Sequence, residues 1–493
     1  RDSQKALANL NAENYNYGGL DFYSMMQFAA DLWCDRLHTI DVEHRDQTKV
    51  NRFYGALYRC SFLPHEVSDV GEEIRYDDFS MWDIYRAELP LYTLITPKRS
   101  GEMMQSLVWM YQNRGWLPTF PCWNSYTAAM IGDHSGAALA DAYVKGIRNF
   151  DAAKAYEGMR LNAFSTPYLA KDYRDGKGRR AIKSYMDNGY IPLEDMVEEA
   201  FHTNEQTSRT LEYAFDDYAV AQMAKALHDS CQDATLRQKY LEDYNDLMRR
   251  SENWRNVINP ATGWADGRYE SGKWENNEDL VHRKSYITEG ATCHYTWYVP
   301  QNPEGLFEVI RNSKPMDKQE KQIEKMERKM EKKGETPVRN EKVIARLDKM
   351  FDNGWYWHGN EPCHQVAYLY DAAGAPEKTQ ERVHHILQTE YNDTPGGLSG
   401  NDDAGQMSAW YVFSSIGFYP VCPGTPYYYI GTPSFDKVTL NLENGRKFIL
   451  SADRQHMDDY LIQSVTLNGK PLADYRLSHQ QILSGGELHF QMK

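Results

Sequence analysis

The sequence predicts a mainly α-helical chain, its helices paired in a ring, with a small β appendage at the C-terminal end. Three observations predict this. Apolar side chains recur at three- and four-residue steps over most of residues 1–425, the period of helices with one buried face. Loops rich in Trp, Gly, Asn and Asp break these stripes at regular intervals, as connections in a ring of paired helices would. Beyond Pro426 the pattern changes to short β-prone runs separated by turn dipeptides.

From Asp21 to Leu37 the stripe is Phe22, Met25, Met26, Ala29, Ala30, Trp33 and Leu37, an amphipathic helix. From Arg209 onward Leu211, Phe215, Ala219, Met223 and Leu227 fall at i, i+4 steps and predict a second. Further helices are predicted around 99–113, 134–146, 151–158, 233–252, 302–313, 376–390 and 404–416. Lys314 to Asp348 differs, being packed with Lys, Glu and Arg. Its thin stripe of Ile323, Met326 and Met330 predicts a solvated helical excursion that ends at Gly334 and carries no chemistry. Residues 426–493 predict strands at 427–430, 437–442, 447–450, 462–467 and 487–492, with turns at Glu443-Asn444-Gly445, Asn468-Gly469 and Gly485-Gly486. These strands are too few to close a sandwich alone, so they are expected to complete a sheet made mostly by another segment.

A chain of 493 residues exceeds the usual size of one hydrophobic core, so a large domain with a smaller one is expected. The net charge of −15 argues against a nucleic-acid partner, which needs a basic footprint. It suits a neutral polar substrate or a carboxylate site for a hard cation. No apolar run reaches the 18 or more residues of a membrane-spanning helix. Arg1 reads as a cut end, so the lack of a signal peptide says nothing about export. The seven cysteines are scattered without a Cys-x-x-Cys pair, which gives neither a zinc knuckle nor a redox pair.

Four loops concentrate polar residues. In Ser80-Met81-Trp82-Asp83-Ile84-Tyr85-Arg86, a stacking face, an acceptor and a donor fork suit a sugar ring, and a buried Asp–Arg pair is the equal alternative. Glu289 lies among Tyr286, Ile287, Ala291 and Trp297, where lost hydration would favour the protonated form that a general acid needs; the alternative is a capping or salt-bridged Glu. Asn360 and Glu361 offer neutral and anionic oxygens side by side, the ligand type Ca²⁺ prefers, while His358 and His364 lack a zinc spacing and read as hydrogen-bonding groups. In Gly400-Asn401-Asp402-Asp403-Ala404-Gly405, three oxygen-bearing side chains exceed what one helix cap requires, which favours a metal-binding or water-activating role. Two separated carboxylate stations with aromatic faces match the needs of glycoside hydrolysis.

These segments resemble glycoside hydrolase family 92, the exo-acting α-mannosidases, and the resemblance runs nearly end to end. It includes Phe53-Tyr54-Gly55-Ala56-Leu57-Tyr58, the Trp82-Asp83 loop, Gly115-Trp116-Leu117-Pro118, Met130-Ile131-Gly132-Asp133-His134 and Leu211-Glu212-Tyr213-Ala214-Phe215-Asp216-Asp217. It continues through Gly359-Asn360-Glu361-Pro362, the run from Gly400 to Phe413, and Gly417-Phe418-Tyr419-Pro420. The resemblance implies an (α/α)6 toroid over residues 1–425, packed on an N-terminal β-sandwich, with Ca²⁺ and inversion at the anomeric carbon. It further implies Glu289 as general acid and Asp403, helped by Asp402, as the base. Glu361, Asn360 and Asp403 would lie at the Ca²⁺. Trp82, Asp83 and Arg86 would line the terminal-mannose subsite, with His358 and His364 beside the substrate. Mannose-containing glycans, an α-1,2 preference by default, and a periplasmic, secreted or cell-surface bacterial location follow from the same resemblance.

Two departures stand out. The N-terminal sandwich is absent from these 493 residues, so it is expected as a separate chain or a removed segment. Asn401 also stands where some family members carry an acid, which leaves the division of labour between Asp402 and Asp403 open. A second reading is a mannoside-binding protein of this fold without catalysis. A cyclase reading, prompted by Asp216-Asp217, lacks a matching metal motif.

Overall fold

A computed structural model of the chain describes residues 2–16, 19, 21–197, 202–335, 337–472 and 474–493. It is mainly helical, with its strands concentrated at the C-terminal end. The predicted helices form at 97–114, 134–144, 152–164, 206–230, 234–250, 303–312, 376–389 and 406–416, close to their sequence patterns except that 152–164 runs six residues past its predicted end. Caps set several starts: Asp21, Asp151 and Asp233 each accept a backbone N–H three residues on.

Gln206–Ser230 is the central helix, packed on both His134–Val144 and Ala234–Arg250. Its apolar stripe is only part of its buried surface, since Arg209, Glu212, Asp216 and Asp217 are buried as well. The helix Phe22–Leu37 behaves oppositely. None of its residues is buried, and Phe22, Tyr23, Met26 and Leu32 are exposed.

The charged excursion forms a helix at Lys318–Glu331, but it is less free than its composition predicts. Fully buried Glu320 faces Arg346 at 3.2 Å and Lys349 at 3.2 Å, which ties the excursion to the helix Glu341–Asp352.

The C-terminal strands form at 427–430, 437–441, 447–453, 462–467 and 486–492. Within the chain they pair with one another and with residues 40–43. Ile40–Glu43 pairs antiparallel with Lys437–Asn441, and the six-stranded sheet continues through 447–453, 486–492, 462–467 and 470–471. Residues 40–43, placed in the helical region by sequence, thus form an edge of this sheet. Val438, Leu440, Phe448, Leu450, Leu488 and Phe490 alternate onto its buried face and join the core of Trp410 and Phe413, which fixes the helix 406–416 beneath the Gly400–Gly405 loop.

Candidate active site

Three carboxylates from distant parts of the chain converge. Asp83, Glu361 and Asp403 each bring an oxygen to within 4.8 Å of the others. Asp83 sits on the single turn Met81–Ile84 and accepts the Ser80 hydroxyl. Glu361 opens the short 3-10 turn Glu361–Cys363. Asp403 and Ala404 take left-handed backbone, φ +46° and +59°, just before the helix 406–416. L-residues pay roughly 1 kcal/mol or more to sit there, and such strain persists where the surroundings enforce it.

The cluster is short of positive charge. Burial first, then the charge of Asp403, pushes the Asp83 carboxyl up to about 8. Burial first, then Asp83 and Asp403, holds Glu361 well above the usual carboxylate range. Among the described residues, Asn360 Oδ1 and Glu361 Oε1 are buried without a hydrogen-bond partner. Oxygen donors that crowd together, stripped of water and unpaired, are the setting a hard cation satisfies, so the residues fit Ca²⁺.

Asn360 also joins this cluster to the Glu289 loop, its Nδ2 donating to the Glu289 carbonyl at 3.2 Å. Asp83 feels the charges of both Asp403 and Glu289. Glu289 itself departs from the sequence expectation. Tyr286, Ile287, Ala291 and Trp297 are buried as foreseen, but Glu289 lies on left-handed backbone, φ +51°, and is exposed, so the apolar layer does not dehydrate it. Both carboxylates singled out for acid and base work thus stand on left-handed backbone.

Asp402 faces other partners. Its Oδ1 accepts from the Ser408 N–H at 3.0 Å and the Ser408 hydroxyl at 2.7 Å, and Arg59 Nε lies 3.8 Å from Oδ2. It therefore caps and braces the helix that follows.

Trp82, Arg86, His358 and His364 are enclosed. The Trp82 indole N–H donates to Glu212 at 2.8 Å, and the Arg86 guanidinium lies between the rings of Trp82, Tyr85 and Tyr298. His358 holds Tyr356 and Tyr391 through its two nitrogens. His364 bridges the His358 carbonyl and Gln406, and burial, then Arg86, lowers it to about 3. These rings brace the loops of Asp83 and Glu361 from within.

One buried acid escaped the sequence reading. Glu88 is fully buried beneath Gly405, where a Cβ would lie 2.5 Å from its Oε2, so Gly405 (φ +98°) admits no side chain. A lone acid at the head of the apolar run Leu89–Ile95 was the available signal.

A model of the glycosyl hydrolase family 92 catalytic domain matches residues 5–493. A protein of Arthroderma benhamiae described as an uncharacterized secreted glycosidase is 27% identical over 503 residues, covering 96% of this chain and 57% of its own length. A family GH92 α-mannosidase of Bacteroides thetaiotaomicron aligns over 100% of this chain and 61% of its own, at 30% identity and TM-score 0.83. A family GH92 inverting mannosidase of the same organism aligns over 100% of this chain and 65% of its own, at 29% identity and TM-score 0.84. The chain thus spans less than two thirds of the length of these relatives.

Proposed function

This chain belongs to glycosyl hydrolase family 92, and from that premise we propose that it is the catalytic part of an exo-acting, inverting α-mannosidase that releases terminal mannose from glycans. The observation that carries the reading is the meeting of Asp83, Glu361 and Asp403, linked through Asn360 to the Glu289 loop. The α-mannosidase names of the structural relatives support the same substrate.

Inversion needs an acid on the leaving oxygen and a base on a water across the ring. Glu289, exposed at the tip of its loop, donates the proton to the departing oxygen. Asp403, held by its left-handed turn, takes the proton from the attacking water. Asp83 and Glu361 bind and orient the sugar hydroxyls, while the enclosed Trp82, Arg86, His358 and His364 fix those two carboxylates. Asp83, Asn360, Glu361 and Asp403 would hold Ca²⁺, which when bound would keep neighbouring carboxylates ionised and polarise sugar hydroxyls. Asp402 serves as a brace. The linkage preference in this reading is α-1,2, and the compartment is extracellular or periplasmic in a bacterium; the secreted glycosidase of Arthroderma benhamiae supports secretion alone. The 35–43% of the relatives' length that this chain does not span leaves room for an N-terminal β-sandwich, which in this reading would complete the leaving-group side.

The test is turnover of an aryl α-mannoside and of α-1,2-mannobiose, with the anomer of released mannose followed by NMR. β-Mannose should form first. Glu289→Gln and Asp403→Asn should each lower kcat by about 10²–10⁴-fold. Wild-type rates in either variant remove that residue from its role, and α-mannose as first product refutes inversion.

A further inference from the structure

Three segments far apart in the chain carry Asp83, Glu361 and Asp403, and the hydrogen bonds of one buried residue reach all three. That residue is Gln406, the first of the helix 406–416, whose backbone N–H donates to the Asp403 carbonyl at 3.1 Å. Its side-chain Oε1 accepts the N–H of Ala87 at 2.9 Å and that of Glu88 at 3.3 Å, just past Asp83. Its Nε2 donates to His364 Nδ1 at 3.1 Å, three residues beyond Glu361. Gln406, Ala87, Glu88 and His364 are all fully buried.

The amide can lie only one way. His364 Nε2 donates to the His358 carbonyl at 3.0 Å, and the ring is uncharged, since burial, then Arg86, lowers it to about 3. Its Nδ1 is therefore a bare acceptor. A flipped amide would set Oε1 against that lone pair and the NH2 group against two backbone N–H donors. Polar groups so placed, dry and mutually satisfied, specify one arrangement. The helices Glu88–Ile95 and 406–416 also share an apolar core through Leu91, Met407 and Trp410, but such contact is non-directional and sets no register.

The three segments are not tied equally. Those of Glu361 and Asp403 are joined again by Trp410, whose Nε1 donates to the His364 carbonyl at 2.8 Å. Tyr391, between His358 Nε2 and the Met407 carbonyl, joins them a third time. The Asp83 segment is anchored on its other side, to the central helix, by the Trp82 indole. Among the described residues, no hydrogen bond other than those of Gln406 joins residues 80–88 to 358–364 or 402–410. Gly405 lies against the Glu88 carboxyl with no room for a Cβ, so the two surfaces meet here without slack.

We propose that Gln406 is a positioning residue: its amide holds the Asp83 segment in register with the Glu361 and Asp403 turns, and so sets how far Asp83 stands from the other two carboxylates. The proposal rests on the reading that these three carboxylates act together. Its test is geometry and Ca²⁺ affinity, kept separate from turnover. The 493-residue chain and Gln406→Met, which keeps the volume and removes the side-chain ties, are crystallised, and Ca²⁺ binding is measured by calorimetry. Gln406→Asn, whose amide falls one methylene short, is the second variant should the first not fold. Tyr368→Phe is the control. It deletes a buried 2.8 Å bond to Ser414 on the same helix, a bond that involves none of residues 80–88.

Asp83 should stand about 0.5–1 Å farther from Asp403 in the variant, while the Glu361–Asp403 separation holds. Ca²⁺ affinity and kcat on an aryl α-mannoside should each fall about tenfold to a hundredfold. Tyr368→Phe should lower the denaturation midpoint and leave both unchanged. Unmoved carboxylates with wild-type Ca²⁺ affinity overturn the proposal. So does an equal loss of affinity in Tyr368→Phe, which would mark general loosening, and so does failure of both Gln406 variants to fold, which would make the residue architecture. If wild type itself takes no Ca²⁺, the cation reading falls and the displacement of Asp83 alone decides. A displaced Asp83 in a chain whose wild type hydrolyses no mannoside would refute the hydrolase reading and leave the positioning role standing.

Discussion

The central helix and the acidic cluster both bury several carboxylates, and they treat them in opposite ways. Along Gln206–Ser230 every acid is matched. Asp217 takes Arg179 at 2.6 Å and Arg250 at 2.9 Å, Asp216 takes His134 at 2.7 Å, and Glu212 accepts Trp82, Tyr295 and His134. At Asp83, Glu361 and Asp403 no such matching exists among the described residues, and two of the three carboxyls are driven up. Buried charge neutralised by the protein is architecture. Buried charge left over is a place where something else must supply the difference.

Breaking the matched side should have the largest effect on stability. Arg179→Leu takes from buried Asp133 its cation and from Asp217 one of two, and should cost about 3–5 kcal/mol, read as a lower midpoint of chemical denaturation. A loss under about 1 kcal/mol would mean the network is not as dry as its geometry implies. On the unmatched side the sign reverses, because adding charge should stabilise. Ca²⁺ at a hundredfold its Kd should raise stability by about 3 kcal/mol and restore turnover lost to a chelator. A melting temperature and rate indifferent to both chelator and Ca²⁺ would dissolve the contrast.

Titration sharpens the same comparison. Burial alone would lower His134, but the charge and hydrogen bonds of Asp216 and Glu212 lift it to about 9 from an ordinary 6.5. A raised histidine contributes fully below its unfolded value, so this stability is present below pH 6.5 and is lost as pH rises through 9. Asp83, raised to about 8 from 3.8, keeps a proton that the unfolded chain has released. Stability therefore falls here too as pH rises, between about 4 and 8. Denaturation at pH 5, 7 and 9 should show both declines without added cation. Asp83→Asn or saturating Ca²⁺ should flatten the lower window, and His134→Gln the upper one. A lower window that survives Asp83→Asn would assign it to another group.

The contrast explains what the sequence disclosed. Helix positions were legible because burial of one face is written locally in the spacing of Leu211, Phe215 and Ala219, and the strands because Val438 and Leu440 alternate. Asp83, Glu361 and Asp403 were each visible as polar residues in loops, and the family resemblance gave them roles. Whether an acid is matched was not legible, because its partner comes from far along the chain. Asp217 and Asp403 look alike until Arg179 and Arg250 are seen beside the first. The burial of Glu289 was misjudged for a related reason. Apolar neighbours in sequence predict a buried side chain only if the backbone continues, and at φ +51° it turns out of their layer.

Asp402 and Asp403, adjacent in sequence, repeat the contrast at the smallest scale. Asp402 is satisfied within the protein, by Ser408 and the nearby Arg59, whereas Asp403 belongs to the unmatched cluster. Ser408→Ala removes one of the two donors that Asp402 accepts and leaves the backbone N–H. It should cost about 1 kcal/mol of stability, the scale of a helix cap, and lower kcat no more than severalfold. Asp402→Asn should likewise reduce kcat far less than Asp403→Asn while leaving the shape of the pH–rate profile unchanged, since a brace has no proton to move. If Asp402→Asn instead matches Asp403→Asn in rate and abolishes the acidic limb of that profile, Asp402 is the base and the cluster of three is only a binding site.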